Sequence, residues 1–399
     1  MKKILIINDY ITSFGWAEKV MFDIKRLLES KWYKVFLLGE KDKKNNLLSF
    51  FRRYFSFVYL YKTYKIIKEN NIDIIHTHSV SRNISPSPII VSKLLWKKII
   101  MTVHDFHYYC PKTWWILRNW KECKIWFNSL CWLKNCNTQK KWLNNIPYHF
   151  LKWLKVWLHR LIIKKYVDTF ICPSKKLQEL MGKSLKIPKE KVIYLPNFIE
   201  IDKNYYPNFE NINDNKFIYV WRISKEKWIN IAIKAFDILV NKERLKDIYF
   251  EIIWGWPEKE NLESLVKELN LENNIKFLWR VDNYKLKTNY ENSIWLIMPS
   301  VCLENNPLVA IEWMKFWKPI LASNVWGYPD LVENWKNGYL FKMWNHKELV
   351  EKIKLLYLNK DKSIEMWKYW FEKLKKEFGS EVFYEKLMDI YSIKKYQEN

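Results

Sequence analysis

Glycine is almost missing from this chain, with 7 residues in 399, where an average protein has about four times as many. Most turns and helix ends are therefore written without the residue that adopts positive φ most readily. Acidic residues are also short, 43 against 68 Lys and Arg, for a formal charge of +25. That balance invites anionic partners such as nucleotide phosphates, nucleic acid or an anionic membrane surface. No single basic run concentrates it, however, and a chain rich in Lys, Ile and Asn throughout would carry the same charge without any such partner. No apolar run is long enough to cross a bilayer. The opening Met1-Lys2-Lys3 leads into a short apolar run that stops at Asn8-Asp9, which does not read as a secretory leader. The expectation is a cytoplasmic protein with reduced cysteines, at most peripheral at the inner face of the plasma membrane. There is no Cys-x2-Cys pair, but Cys110, Cys123, Cys131 and Cys136 fall close together. They could bind a structural zinc or remain free thiols in a loop.

Tryptophan is what the chain has in excess, 24 residues. With the glycines they come to about 8% of the chain, close to the roughly 7% glycine of an average protein. They also stand where glycine belongs. Trp32 falls between a helix over 17–30 and a strand over 33–38, the place of a helix C-cap. Others sit in turn contexts: Gly15-Trp16, Trp254-Gly255-Trp256-Pro257, Trp326-Gly327 and Asn334-Trp335-Lys336-Asn337-Gly338. The expectation is that most of these positions are glycine in the native protein, its genetic code reading as Gly a codon that is written here as Trp.

The length suits two domains. Apolar strand patterns at 2–8, 33–38, 72–76 and 98–103 alternate with helical stretches such as 61–69 and 88–95. This is the pattern of a parallel sheet covered by helices on both faces. A strand, the Pro173-Ser174 turn and a helix repeat it, and a polar stretch over about 200–215 reads as a linker. A second series begins at 216–220 and continues through 249–253, 276–278, 295–298 and 319–323. The last helices are expected at about 347–358, 364–378 and 381–391, with a break at Gly379-Ser380. Over about 150–166 a basic, apolar helix could cover the sheet or lie on anionic lipid.

The stretch with the most chemistry is Met298-Pro-Ser-Val-Cys-Leu-Glu304-Asn-Asn-Pro-Leu-Val-Ala-Ile-Glu312. A strand ends there in a Pro-Ser loop, and a helix begins near Pro307, whose fixed φ suits a first turn. The two carboxylates would be about 12 Å apart if the whole spacing were helical, enough to touch both ends of an extended nucleotide-type ligand. Amides between them could hold a phosphate. Such a pair also occurs on ordinary solvated helix faces.

This stretch resembles the E-x7-E signature of retaining glycosyltransferases of family 4. Three further segments are similar to that family: Gly15-Trp16-Ala17-Glu18, Thr102-Val103-His104-Asp105 with Cys110-Pro111, and Val220-Trp221-Arg222-Ile223-Ser224-Lys225-Glu226-Lys227-Trp228. The resemblance implies an α/β GT-B fold, two Rossmann-like domains with a ligand cleft between them. Their expected bounds are 1–200 for the acceptor domain, with a Cys-containing insertion at 105–140, and 201–375 for the nucleotide-sugar donor domain. A terminal helix over 376–399 would pack back toward the first domain.

It also implies a metal-independent, retaining hexosyl transfer from a nucleotide-diphospho-sugar to a glycan or lipid-linked acceptor in cell-envelope synthesis, with no cofactor and no nucleic acid. Catalysis would rest on Glu304, His104, Arg222 and Lys227. The donor would be held by Arg222, Lys227, Glu304, Asn305, Asn306, Pro307, Leu308 and Glu312, with Arg280 and Val281 near the base. Gly15, Trp16 and Glu18 would form the acceptor-side loop. Asp105 could orient the His104 ring or cap the following turn. The turn over 326–330 could offer amides to the donor. The rivals are a noncatalytic basic protein that binds nucleic acid or a membrane surface, and an inverting transferase or epimerase on the same architecture.

Overall fold

The computed structural model describes residues 2–12, 15–42, 47–110, 123, 127–133, 146–202, 215–253, 258–278, 281, 283–316 and 318–392. The chain forms two compact units, Met1–Pro196 with Phe383–Asn399, and Asn197–Val382.

The first unit carries β1 (Lys3–Tyr10), β2 (Lys34–Glu40), β3 (Ile74–Thr77), β4 (Lys98–Thr102), β5 (Thr169–Cys172) and β6 (Val192–Tyr194). They form one parallel sheet in the order β2-β1-β3-β4-β5-β6. Helices cover both faces of such a sheet, so its strands read as continuous apolar runs and not as alternating ones. Ile4 to Ile7 of β1 are fully buried. The helix Ser380–Ser392 brings Tyr391, Ile390 and Met388 to this unit. There the Tyr391 hydroxyl lies 2.8 Å from His76 Nδ1, Lys98 Nζ donates to Ile390 O and Tyr33 OH to Met388 Sδ.

The second unit carries β7 (Lys216–Val220), β8 (Tyr249–Ile253), β9 (Ile275–Leu278), β10 (Trp295–Met298), β11 (Ile320–Ser323) and β12 (Gly338–Phe341). Its parallel order is β12-β11-β10-β7-β8-β9. Strand β12 is absent from the sequence reading because it opens on Gly338 inside what reads as a turn. The structure shows why that residue is glycine: at φ 156° a Cβ would lie 2.2 Å from Ile320 O on the neighbouring strand. The chain enters this unit at Asn197, three residues before the expected linker, where Ile199 N bonds Phe378 O. Most of that linker, residues 203–214, lies outside the described residues. The helix expected over 364–378 begins at Lys360 and closes in a π turn, Leu374–Phe378, before Gly379.

Among the described residues no helix is long and apolar enough to cross a membrane. The basic helix Ile146–Tyr166 directs part of its charge inward: Lys155 Nζ donates to Ser81 O, and Arg160 to Tyr108 O and Ser184 O. Burial pulls Lys155 down to about 8.

Candidate active site

In open parallel sheets a ligand binds beyond the strand carboxyl ends, where the strand order reverses direction. In the second unit that point lies between β7 and β10. β7 runs into Trp221–Ser224 and a short 3-10 turn, Lys225–Lys227, before the helix Ile229–Asp237. β10 runs into Pro299–Pro307 before the helix Leu308–Met314. Val301 N donates to Glu226 O at 3.1 Å and joins the two loops.

The joined loops gather Lys227, Ser300, Cys302 and Glu304. Lys227 Nζ is ion-paired with Glu304 Oε1 and lies 3.3 Å from Cys302 Sγ, while Ser300 Oγ is 3.0 Å from that sulfur. Lys227 is buried. Burial works against its charge, but the Glu304 carboxylate beside it holds its pKa above the usual lysine range. Burial, then Glu304, push the Cys302 thiol up to about 12, so it stays a thiol. The mostly exposed Arg222 pairs with Glu226 at 2.7 Å, while its carbonyl accepts from the buried Tyr219 hydroxyl. An exposed guanidinium and a buried ammonium on one loop are a pair of charges suited to anionic oxygens.

The remaining predicted donor residues divide into two sets. Only the stretch from Leu308 is helical, so Glu304 lies in the loop and Glu312 on the helix, and a wholly helical 12 Å spacing does not apply. Glu312 is half-buried, near enough to Tyr290 that its charge adds to the burial raising that phenol. Asn306, Pro307 and Leu308 are buried. Asn306 Oδ1 accepts from Asn197 N at 2.9 Å, so this side chain ties down the incoming chain. Asn305 and Val281 are half-buried, whereas Arg280 lies outside the described residues, as does the turn at 254–257.

Three amides of the turn over 326–330 are already engaged within the protein. Gly327 N donates to Glu304 O, Tyr328 N to Val325 O and Asp330 N to Gly327 O. The turn braces the Glu304 loop, and Gly327 lets it approach: a Cβ there would stand 1.8 Å from Asn305 O and 2.7 Å from Glu304 O. Gly327→Ala must therefore push the loop away. The expected result is a stability loss of about 1–3 kcal/mol with at least tenfold weaker turnover, measured by urea unfolding and initial rates; unchanged values for both would show that the brace is not needed.

In the first unit the order reverses between β1 and β3. Asn8 and Asp9, at the carboxyl end of β1, organise that point. Asp9 accepts four backbone N–H groups, from Ser81 and Arg82 on one oxygen and from Asn83 and Ile84 on the other. Asn8 accepts from Ser79 N and donates to Glu18 Oε1. Glu18 is thus a buried tie, Gly15 caps the helix Trp16–Ser30 with its carbonyl receiving Lys19 N, and Trp16 is exposed. The sequence reading used Asn8-Asp9 only as the end of an apolar run; two polar residues closing a buried strand were the signal.

His104 follows β4 and is half-buried. Burial holds it near 4, opposed by Asp105. Of the two readings of Asp105, the structure takes the cap: one oxygen accepts from His107 N at 3.0 Å and the other pairs with His107 Nδ1. Burial would raise this carboxyl, yet His107 holds it down to about 2. The ring partner of His104 is His78, whose Nδ1 lies 2.8 Å from His104 Nε2. Cys110, Cys123 and Cys131 are half-buried, and Cys136 lies outside the described residues. Among the described residues no group of three or more His, Cys, Asp or Glu could hold a metal ion.

Two family models match the chain in succession: Glycosyltransferase Family 4 over residues 29–203 and Glycosyl transferases group 1 over residues 202–373. A Haemophilus influenzae relative, named as an uncharacterized glycosyltransferase, is 31% identical over 172 residues; the match covers 43% of this chain and 46% of the relative. An Escherichia coli relative, named UDP-Gal:alpha-D-GlcNAc-diphosphoundecaprenol alpha-1,3-galactosyltransferase, is 22% identical over 71% of this chain and 66% of its own length. The crystal structure of a glycosyltransferase from Rickettsia africae superimposes with a TM-score of 0.72, covering 98% of this chain and 97% of that one at 15% identity. With both halves matched in order on two Rossmann-like sheets, the chain belongs to glycosyltransferase family 4 and has the GT-B fold.

Proposed function

We propose that this protein transfers a hexose from a nucleotide-diphospho-sugar to an acceptor hydroxyl, with retention of anomeric configuration and without a metal. The observation that carries the reading is the Lys227–Glu304 pair, set with Arg222 at the switch point of the second sheet. Lys227 has three N–H groups; with Glu304 and Cys302 served, a third remains for a phosphate oxygen. Arg222 supplies a planar fork to the same diphosphate. Glu304 takes the donor sugar and Glu312 the ribose, while Asn305, Arg280 and Val281 complete the donor site; His104 and the loop of Gly15 and Trp16 serve the acceptor side.

In the reaction the bond from the anomeric carbon to the diphosphate oxygen breaks, and the acceptor oxygen bonds to that carbon from the same face. The acceptor proton passes to the departing phosphate oxygen, so no covalent intermediate on Glu304 is needed. Arg222 and Lys227 neutralise the growing negative charge, which is why turnover is expected in excess chelator. Replacing Arg222 by alanine should lower kcat about a hundredfold and leave the melting temperature nearly unchanged, since the side chain is mostly exposed. Wild-type turnover in that variant would remove it from the site.

The activity named for the Escherichia coli relative supports a UDP-sugar donor and a lipid-linked glycan acceptor, hence a place in cell-envelope synthesis. Exposed Phe57, Tyr61 and Leu161 support a peripheral membrane contact on the first unit, which co-sedimentation with anionic vesicles would test.

The same reading takes most tryptophans as glycine in the native protein. Of the eleven non-glycine residues at positive φ among those described, six are tryptophan: Trp32, Trp96, Trp228, Trp326, Trp335 and Trp344. Trp32 and Trp96 close helices in one pattern. Trp32 N donates to Glu29 O and Tyr33 N to Leu28 O; Trp96 N donates to Lys93 O and Lys97 N to Ser92 O. This is the Schellman geometry, whose left-handed position belongs to glycine and less often asparagine. Where another helix ends the same way, the residue is Asn270. Trp295 and Trp370 also bury indole N–H groups that have no acceptor. The intact mass of the protein isolated from its own organism decides: lighter by one indolylmethyl group per recoded site supports glycine, and the mass of the written chain refutes it.

A further inference from the structure

His76, His78 and His104 lie in sequence along the carboxyl edge of the first sheet, ring centroids 4.7 and 5.1 Å apart and planes nearly parallel. His76 is held at both nitrogens, Nδ1 by the Tyr391 hydroxyl and Nε2 by Thr102 Oγ1, each at 2.8 Å. It has no nitrogen left for His78. The backbone N–H of His78 donates to Ile7 O, which fixes its place, and its Nδ1 faces His104 Nε2. Its Nε2 is buried and has no hydrogen-bond partner.

That solitary nitrogen decides which ring donates. If His104 Nε2–H donated, the neutral His78 ring would carry its proton on Nε2, and a buried N–H would stand without an acceptor. If His78 Nδ1–H donates, only a lone pair is unmatched. Buried N–H groups without an acceptor are the rarer and costlier outcome. In a neutral imidazole, the bond made by one nitrogen sets the state of the other. Both rings are neutral at physiological pH, because burial holds His78 well below the ordinary range and His104 near 4.

We propose that His78 is a positioning residue that fixes the proton of His104 on Nδ1, so that His104 meets a sugar hydroxyl as a hydrogen-bond donor and not as a proton acceptor. This rests on the proposed place of His104 on the acceptor side, and it deepens that reading: the acceptor proton must leave by the phosphate because the imidazole cannot take it.

The test is the tautomer of His104, read from long-range proton–nitrogen correlations in protein labelled with ¹⁵N-histidine and assigned by the signals lost in His104→Asn. The expected wild-type state is Nδ1–H with a bare Nε2. In His78→Phe, which keeps a flat ring but has no donor, the Nε2–H form should appear and kcat should fall about tenfold, the rate equivalent of one ordinary hydrogen bond. His78→Gln, whose amide can donate, should restore the Nδ1–H signal and most of the rate. An Nε2–H tautomer in the wild type, or an Nδ1–H signal that survives in His78→Phe, overturns the proposal. Because the signal is read without substrate, a protein that transfers no sugar would refute the transferase reading, while the spectrum would still show which nitrogen of His104 carries the proton.

Discussion

Replacing Lys227 by methionine is expected to lower sugar transfer about a thousandfold and to destabilise the second unit by about 3–5 kcal/mol. The stability loss follows from burial. Lys227 is buried and the Glu304 side chain is only 14% exposed, so removing the ammonium leaves a carboxylate largely out of water with no counter-charge. The catalytic loss follows from the phosphate role proposed for the same ammonium. The two effects separate in the double variant Lys227→Met/Glu304→Gln. With both charges gone, stability should return to within about 1 kcal/mol of wild type, because a buried ion pair often contributes little over a neutral pair of similar volume. Turnover should stay low. Urea unfolding and initial rates on the same preparations check both. If the double variant is as unstable as the single one, the two side chains are not energetically coupled, and the pair cannot be the centre of the site.

The second large effect is a loss of the first unit's stability in mild acid. His76, His78 and His159 are buried and neutral; burial holds His76 and His159 near 3 and His78 well below its ordinary range. Unfolded histidines take up a proton near pH 6.5. His104, held near 4, adds a fourth ring. From pH 6.5 down to about pH 4 the unfolded chain binds up to four more protons than the folded one, so the stability present above pH 6.5 is lost as pH falls. The slope is at most about 5 kcal/mol per pH unit. Urea midpoints at pH 7, 6 and 5 should fall steeply, and His159→Gln, which keeps a donor for Arg53 O, should remove about a quarter of the slope. A midpoint that is flat from pH 7 to 5 would mean these rings are not buried as neutral groups.

Much of the architecture was legible because a strand buried on both faces must be apolar along its whole length. β1, β4, β7 and β10 announce themselves this way, and the loops after them carry their polar residues in compact motifs. Strand β12 was not legible, since four residues opening on a glycine look like a turn until β11 lies beside them. The site divides along the same line. Lys227 and Glu304 are 77 positions apart; a resemblance put both in one donor site, but their ion pair shows only once the sheet order places their strands side by side. The partner of His104 could not be read from its neighbours: Asp105 is adjacent in sequence yet turns to His107, while His78 arrives from another strand. Asn8 and Asp9 were passed over because their ligands are backbone amides more than 70 residues away, which carry no mark in a sequence. Gly327 was seen, but its amide was assigned to a ligand when the Glu304 carbonyl already receives it.

The central claim is that one nucleotide-diphospho-sugar is held through its diphosphate by Lys227 and Arg222, beside Glu304. Calorimetric titration of a panel of UDP- and GDP-sugars into the wild-type protein and into Lys227→Ala tests it most directly. One nucleotide sugar is expected to bind the wild type, with affinity lowered at least tenfold in the variant. Failure of every nucleotide sugar to bind, or equal binding to both proteins, would contradict it.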